Sequence, residues 1–375
     1  MMIKPLNILG LMGGTALDGI KIALINTDGI DVYEVMFARK ILYPDSLRQK
    51  IRAIIGKKTT SSEDAKLIEQ VDIEFTDFLY ETINETLGEC GVVPDYIGLE
   101  GPTICHDAQN CYTYQLGKGK ILAEKSGIKV VTHFHNADIL NGGQGSPVMA
   151  TYYASLAQSL EKPAVFINIG GITSLTWSGH LGEITAFDCG PGNALIDDWV
   201  FKHANMMMDY NGKLAATGVV HEKIVAQMMK QNFFAKYPPK SADRNSFNDK
   251  IEHLEGLSLA DGAATATALI AEAVAYSLAL YLPEVPKRAV ICGGGAQNPT
   301  LVRFLRQKLK DMSIEPALSD IFEYKIGDAQ AAAFLAARRV YSLPITFPTT
   351  TGVPSPITGG VIYEKEQSDD HHHQN

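Results

Sequence analysis

Residues 165–199, VFINIGGITSLTWSGHLGEITAFDCGPGNALIDDW, decide the fold of this 375-residue chain. The β-branched and aromatic runs Val165–Asn168, Ile172–Trp177 and Glu183–Phe187 predict three consecutive strands. Asn168-Ile169-Gly170-Gly171 turns the chain between the first two. Asp188-Cys189-Gly190-Pro191-Gly192-Asn193 ends the third and leads into a helix expected over Ala194–His203. Glycine removes the Cβ at these turns, so backbone N–H groups can approach an anion such as a phosphate. One carboxylate, Asp188, stands at the strand end beside the second turn.

The stretch LGLMGGTALDGIKIALIN near the N-terminus has the same design: apolar strand, Gly-Gly turn with Thr15 close by, second apolar strand. Asp18-Gly19 sits in that turn, and Val32–Ala38 adds a third strand. Further strands are expected at Tyr96–Leu99, Tyr112–Leu116, Val130–Phe134 and Ala289–Cys292, the last ending in a third glycine turn, Gly293-Gly294-Gly295. Helical spacing and caps predict helices over Pro44–Ile55, from Ser61 or Ser62 onward with Leu67, Val71, Phe75, Phe78 and Ile83 on one face, and around Ile121–Lys125. In the second half they are expected from Pro147 to about Leu160, over Glu222–Lys236, Ser258–Tyr281, Leu301–Leu309 and Gly327–Arg339. Asn141–Pro147 reads as a turn cluster at a crossing or cleft, and Tyr237–Asn248 as a polar, Pro-rich loop. The class is therefore α/β. Two duplicated halves, each offering a glycine turn to a shared nucleotide cleft, resemble the actin-like and sugar-kinase-like architecture. The expected domains are residues 1–138 plus 345–375, and residues 139–344.

Composition narrows the function. A formal net charge of −9 argues against a sequence-independent nucleic-acid binder. Five cysteines without a CxxC pair argue against a zinc site or disulfide framework and fit a reducing cytoplasm. The Gly-rich N-terminus does not read as a signal peptide. The longest apolar stretch, Ala268–Leu282, is broken by Glu272 and falls short of the roughly 18–20 residues of a membrane span. A cytoplasmic protein without a nucleic-acid or membrane partner is expected.

The string LGLMGGTALDGIKIAL resembles the opening signature of the anhydro-N-acetylmuramic acid kinases, whose usual form is GxMSGTSxDGxD. GGQGSP, NIGG, FDCGPGNALID, PPKSADRNSF, CGGGAQNP and FPTTTGVPSPITGG follow in that family's order from Ile8 to Gly360, most like its alphaproteobacterial members. The resemblance implies phosphorylation of O6 of 1,6-anhydro-N-acetylmuramic acid from ATP while water opens the anhydro bridge, giving N-acetylmuramic acid 6-phosphate in cell-wall recycling. It implies ATP with Mg²⁺, a sugar substrate and a homodimer. By motif position Asp188 is the base that activates the water. Gly14, Thr15, Ala16, Leu17, Asp18, Gly19, Ile20 and Lys21 would wrap the γ-phosphate; Asn168, Gly170 and Gly171 would hold phosphates from the other side. Gly293, Gly294, Gly295 and Asn298 would border the nucleotide. Glu100, Thr103, His133, His135, Gln144, Gly190, Asn193 and Asp328 fall at substrate-side positions. No metal-ligand set is expected from the protein.

The chain departs from the family pattern near the substrate. GTSxDGxD reads GTALDGIK, so Ala16 and Lys21 replace a serine and an aspartate. HGQT reads Glu100-Gly101-Pro102-Thr103, DxR reads His133-Phe134-His135, and a late glutamate is Asp328. An Arg-to-His change removes a permanent bidentate carboxylate binder. His133 and His135, at i and i+2, are expected on one strand face as a cleft-wall pair. The departures favour, as alternatives, a kinase for a different anhydro- or amino-sugar, or a weakly catalytic nucleotide-binding sensor or partner protein. Cys189 and Met206–Met208 read as filler, and His371–His373 as part of a polar tail.

Overall fold

A computed structural model describes residues 4–14, 17, 19–316 and 327–366. Thr15, Ala16, Asp18 and His371–His373, singled out above, lie outside the described residues. The first apolar runs form an antiparallel meander of β1 (Leu6–Gly13), β2 (Gly19–Thr27) and β3 (Val32–Leu42). β4 (Tyr96–Glu100) lies parallel to β1. β5 (Thr103–Asp107) and β6 (Tyr112–Gln115) make a small separate hairpin, and β7 (Lys129–Thr132) lies parallel to β4. The second half repeats the plan: β8 (Ala164–Ile169), β9 (Ile172–Ser178) and β10 (Ile184–Pro191) form a meander. β11 (Arg288–Cys292) runs parallel to β8 and β12 (Ser313–Pro316) parallel to β11. β13 (Val361–Tyr363) returns to pair antiparallel with β7. Among the described residues the strand orders are β3-β2-β1-β4-β7-β13 and β10-β9-β8-β11-β12, so the two sheets match over five positions. The duplication read from two glycine turns is thus a duplication of topology.

Three apolar clusters hold the layers together. Under the first sheet, the helix Ser62–Cys90 buries Ile68, Val71, Phe75, Leu79 and Ile83. Val71, Phe75 and Ile83 of the expected face are in this stripe, whereas Ile68 and Leu79 take the places expected of Leu67, which is 39% exposed, and Phe78, which is partly buried. The Ser61 side chain caps it by accepting the Asp64 N–H. In the second half the helix Leu259–Tyr281 packs among Trp199, Phe234 and Leu195. At 23 residues, with mean hydropathy 1.5 over an 18-residue window, it is long and apolar enough to cross a membrane, contrary to the shorter broken stretch read from the sequence. Here its apolar faces are covered by the protein, 72% of that window being buried.

The third cluster lies between the sheets and joins Ile8, Ala23 and Ile25 to Phe166, Val290, Tyr152 and Phe334. Its centre is the Ala-rich helix Gly327–Val340, which the division at residues 139–344 places with the second half but which packs against β1, β2 and β4. Elsewhere the helices differ from expectation at polar positions. The helix after Pro147 begins only at Ala150, and the segment Glu222–Lys236 breaks into Glu222–Met228 and Asn232–Ala235 because Gln231 adopts an extended backbone. The expected loop over Tyr237–Asn248 turns at Asp243 into a run of tight helical turns, Arg244–Leu254, started by a reciprocal Asp243–Ser246 cap.

Gly10 and Gly98 let the central helix approach the sheet at backbone distance. A Cβ on Gly10 would stand 1.8 Å from the Ala329 carbonyl oxygen, and one on Gly98 2.4 Å from that of Ala332. Both obstacles are backbone, so relief requires moving the helix. Gly10→Ala is expected to lower unfolding free energy by about 1–3 kcal/mol, the usual range for overpacking, read by urea denaturation at unchanged m-value.

Candidate functional site

The two meanders turn their glycine loops toward one cleft of about 1110 Å³ between the halves. Gly13, Gly14 and Lys21 line it from the first hairpin; Asn168, Gly170, Gly171, Asn193 and Gly294 line it from the second half. The second-half turns are tied to one another. The Gly192 N–H donates to the Gly171 carbonyl at 2.9 Å and the Asn193 N–H to that of Gly170 at 2.8 Å. Gly192 can make that approach because it has no Cβ; one added there would lie 2.4 Å from the Gly170 carbonyl oxygen. The helix Asn193–Ala204 therefore starts at the cleft.

Asp188 lies within β10, which runs past the expected end at Phe187 to Pro191, at the point where the register with β9 shifts between Asp188 and Gly190. It is 3% exposed yet lines the cleft. Its Oδ2 accepts the Ala242 N–H at 2.9 Å, and its own N–H donates to the Lys240 carbonyl at 3.0 Å. Burial pushes its carboxyl up to about 7, against the hydrogen bonds from Ala242 and the Ser146 side chain and the charges of His135 and Lys240, which pull it down. A carboxylate with that affinity for protons is suited to proton transfer near neutral pH.

The other candidates divide by location. Thr103, His135, Asn298 and Asp328 line the same cleft. Lys21 and Asp328, two departures from the family pattern, meet as an ion pair at 2.5 Å on its floor. Glu100 and His135, two more departures, are hydrogen-bonded at 2.8 Å, with Glu100 buried behind the wall. His133 does not share a face with His135, because β7 ends at Thr132 and His133 takes a positive φ of 62°. Its ring instead meets Tyr363 edge-on in a separate small pocket of about 330 Å³. Leu17 and Ile20 are buried in the core of the first half, and Gly19 sits against the backbone of Ile41. Gly190 packs against Ala273 and Phe234, away from the cleft. Gly293 and Gly295 seat their turn on Asn168 and Ile169, which leaves only Gly294 of the three facing the cleft. Gln144 reaches it through its neighbours: its carbonyl accepts from His106 Nε2 at 2.8 Å, and its N–H donates to the Thr351 carbonyl at 2.7 Å. Asn298 caps the helix Pro299–Lys308 with its side-chain oxygen.

Several cleft residues were not singled out from the sequence. Ser146 touches Asp188. The segment after Pro239 supplies Ala242, Asp243 and Arg244: Asp243 Oδ2 accepts the His106 N–H at 2.9 Å, while Arg244 makes two 2.7 Å bonds to Asp198. Arg52, from the first half, also reaches Asp198 at 3.1 Å, so this carboxylate links the halves. Met208, Asp209, Tyr210 and Asn211 form a bay beside Asn298. The signals available were the polar cluster SADRNS after two prolines and the Tyr-Asn-Gly turn before a helix. Among the described residues no group of three or more His, Cys, Asp or Glu is arranged to hold a metal ion.

The Asp188 shift has a consequence for stability. Between the unfolded value near 3.8 and about 7 the folded state binds the extra proton, so this group's contribution falls as pH rises through that window and stays lost above it. Asp188→Asn is expected to raise the melting temperature relative to the parent at pH 8 and to gain little at pH 4, read by paired thermal melts.

A family model described as anhydro-N-acetylmuramic acid kinase matches residues 6–365. The anhydro-N-acetylmuramic acid kinase of Rhodospirillum rubrum is 37% identical over 356 residues, 95% of this chain and 93% of that protein. The one from Paramagnetospirillum magneticum is 39% identical, over 94% of this chain and 98% of that protein. A solved structure of a ROK family glucokinase from Streptomyces griseus with glucose and AMPPNP is similar more distantly, with TM-score 0.39 and 12% identity over 88% of this chain and 98% of that one. With the family model matching residues 6–365 and the two kinases 37% and 39% identical over nearly the whole chain, the chain belongs to the anhydro-N-acetylmuramic acid kinase family.

Proposed function

We propose that the chain transfers the γ-phosphoryl group of ATP to O6 of 1,6-anhydro-N-acetylmuramic acid while water opens the 1,6-anhydro bridge, yielding N-acetylmuramic acid 6-phosphate for cell-wall recycling. The observation that carries this is Asp188: a buried carboxylate raised to about 7, facing a cleft flanked by glycine turns from both halves. Asp188 takes a proton from the water that attacks C1. The C1–O6 bond breaks, and O6 becomes the nucleophile for the γ-phosphorus. Gly14, Gly170 and Gly171 offer backbone to the phosphates without a Cβ in the way, and Lys21 supplies a cation beside them. The bay of Met208–Asn211, Gly294 and Asn298 takes the nucleoside. Mg²⁺, when bound, would neutralise charge on the phosphates, and among the described residues no group of three or more His, Cys, Asp or Glu would cage it, which suits an ion held largely by water and phosphate. The reading takes the enzyme as a cytoplasmic homodimer, as family likeness implies.

A second reading, a kinase for a different anhydro- or amino-sugar, is favoured by one observation. The imidazole at the position of the family arginine has both ring nitrogens engaged by Gly145 and Glu100, so it offers no N–H to a substrate carboxylate. Incubation with ATP, Mg²⁺ and 1,6-anhydro-N-acetylmuramic acid is expected to give ADP and the ring-opened 6-phosphate in equal amounts. Asp188→Asn is expected to reduce kcat by about 10²–10⁴-fold, the range for a lost general base, while leaving ATP affinity within twofold. Turnover confined to sugars without the lactyl carboxylate would select the second reading.

A further inference from the structure

His135 stands in the cleft wall, and its hydrogen bonds fix one of its protons. Nδ1 lies 2.5 Å from the Gly145 carbonyl oxygen and Nε2 lies 2.8 Å from Glu100 Oε1. A carbonyl only accepts, so Nδ1 carries a proton. The question is the proton between Nε2 and Glu100. The carboxyl is 2% exposed, and the contact admits either an N–H donated by an imidazolium or an O–H donated by Glu100 Oε1 to a neutral ring. The groups facing the ring favour the first, an imidazolium donating to both neighbours with Glu100 ionised, because the Gly145 carbonyl and Glu100 both stabilise the cation. Asp138 strengthens it: its Oδ1 accepts the Gly145 N–H at 2.6 Å, and its charge also favours the cation.

The chain continues from Gly145 directly into Ser146, whose side chain hydrogen-bonds Asp188. His135 therefore holds one end of a two-residue link whose other end touches the candidate base. We propose that Glu100 and His135 form a buried ion pair that fixes the Gly145–Ser146 link and keeps an imidazolium charge near Asp188, so that both are positioning residues for it. The proposal rests on Asp188 serving as the base. It also explains why an imidazole with no free N–H lines the cleft: it acts by charge and by position.

The remaining charged or titratable neighbours leave this assignment intact. His106 faces the His135 ring edge-on at 6.0 Å, but burial, together with His135, pushes its pKa down to about 4 and it stays neutral. Around Asp188, Lys240 is the second cation, and the Cys189 thiol is held protonated by burial. Despite desolvation, which lowers it, the His135 pKa is raised by Glu100, by the Gly145 carbonyl and by Asp138.

Two measurements test the proposal. In ¹⁵N-histidine NMR, with His135→Asn supplying the assignment, His135 is expected as imidazolium at pH 7 in the parent protein and as neutral imidazole in Glu100→Gln. A neutral His135 in the parent at pH 7 overturns the ion pair whether or not the protein turns over any sugar. In the kinase assay, losing the cation raises the proton affinity of Asp188, so the acid limb of kcat/KM in Glu100→Gln moves to higher pH. A one-unit shift reads as about a tenfold loss on the acid side with little change well above the limb. Ser146→Ala moves the limb the same way without altering His135, whereas His135→Arg, which keeps a cation, holds it at or below the parent position. A Glu100→Gln enzyme slowed equally at all pH values, with its limb unmoved, makes the pair merely structural and overturns the proposal. Imidazolium without turnover of the anhydro-sugar would instead count against the proposed function alone.

Discussion

The close approach of the helix Gly327–Val340 to β1 and β4 is the constraint on which the rest depends. It is a backbone contact, made possible where Gly10 and Gly98 present no side chain and where the helix presents mostly alanine. Interiors are packed densely enough that a displacement of a few tenths of an ångström passes to the neighbours. The first turn of this helix carries Asp328 to the cleft floor, where it meets Lys21 from the first hairpin. The same cluster reaches Phe166 and Val290 in the second sheet. The packing that fixes the relation of the sheets thus also fixes an ion pair in the cleft that the two glycine turns face.

The unusual charges of this cleft occur as pairs. Lys21 with Asp328, and Glu100 with His135, each join two positions that differ from the family pattern. Removing one partner of either pair would leave an unpartnered group in a poorly solvated place, which costs more than the intact pair contributes. Pairing therefore accounts for how the lysine beside the first glycine turn is accommodated. It also alters the available chemistry. A lysine held by an aspartate offers fewer N–H groups than a free one, and a histidine held on both nitrogens offers none.

The fold was legible where a residue type has one physical use. β-branched runs ended by glycine gave the meanders, and their repetition gave the duplicated halves, whose matching strand order only the structure shows. Asp188 stands out as a candidate because it is a lone carboxylate beside glycines, and its part as the base is the proposal made above. What failed depended on backbone detail that composition does not carry. Two histidines at i and i+2 share a face only if the strand continues through them; β7 stops at Thr132, and the positive φ at His133 sends the two rings into different pockets. The segment after Pro239 looked like a loop because its local signals are polar. Its contacts with Asp188, His106 and Asp198 are all long-range, so no periodicity announces them.

Those long-range contacts settle how a buried carboxylate remains usable. Alone in an apolar site, Asp188 would stay protonated through neutral pH and could not accept a proton. Hydrogen bonds alone would hold it ionised and too weak a base. Its surroundings supply both effects from different parts of the chain. β10 and the core beneath it exclude water; Ala242 and Ser146 supply hydrogen bonds; Lys240 adds a cation from within a cage of Phe187, Phe233 and Tyr281. Desolvation is the largest of these contributions, and the others return the carboxyl to about 7 rather than leaving it higher. The balance needs the loops at residues 141–147 and 240–244 to meet on one side chain. The first is clamped by His106, His135, Asp138 and Thr351, the second by Lys240 and the Asp243 cap. Proton affinity at this site is consequently set by residues far apart in sequence, which is why substitutions at Glu100 and His135 bear on Asp188 without touching it.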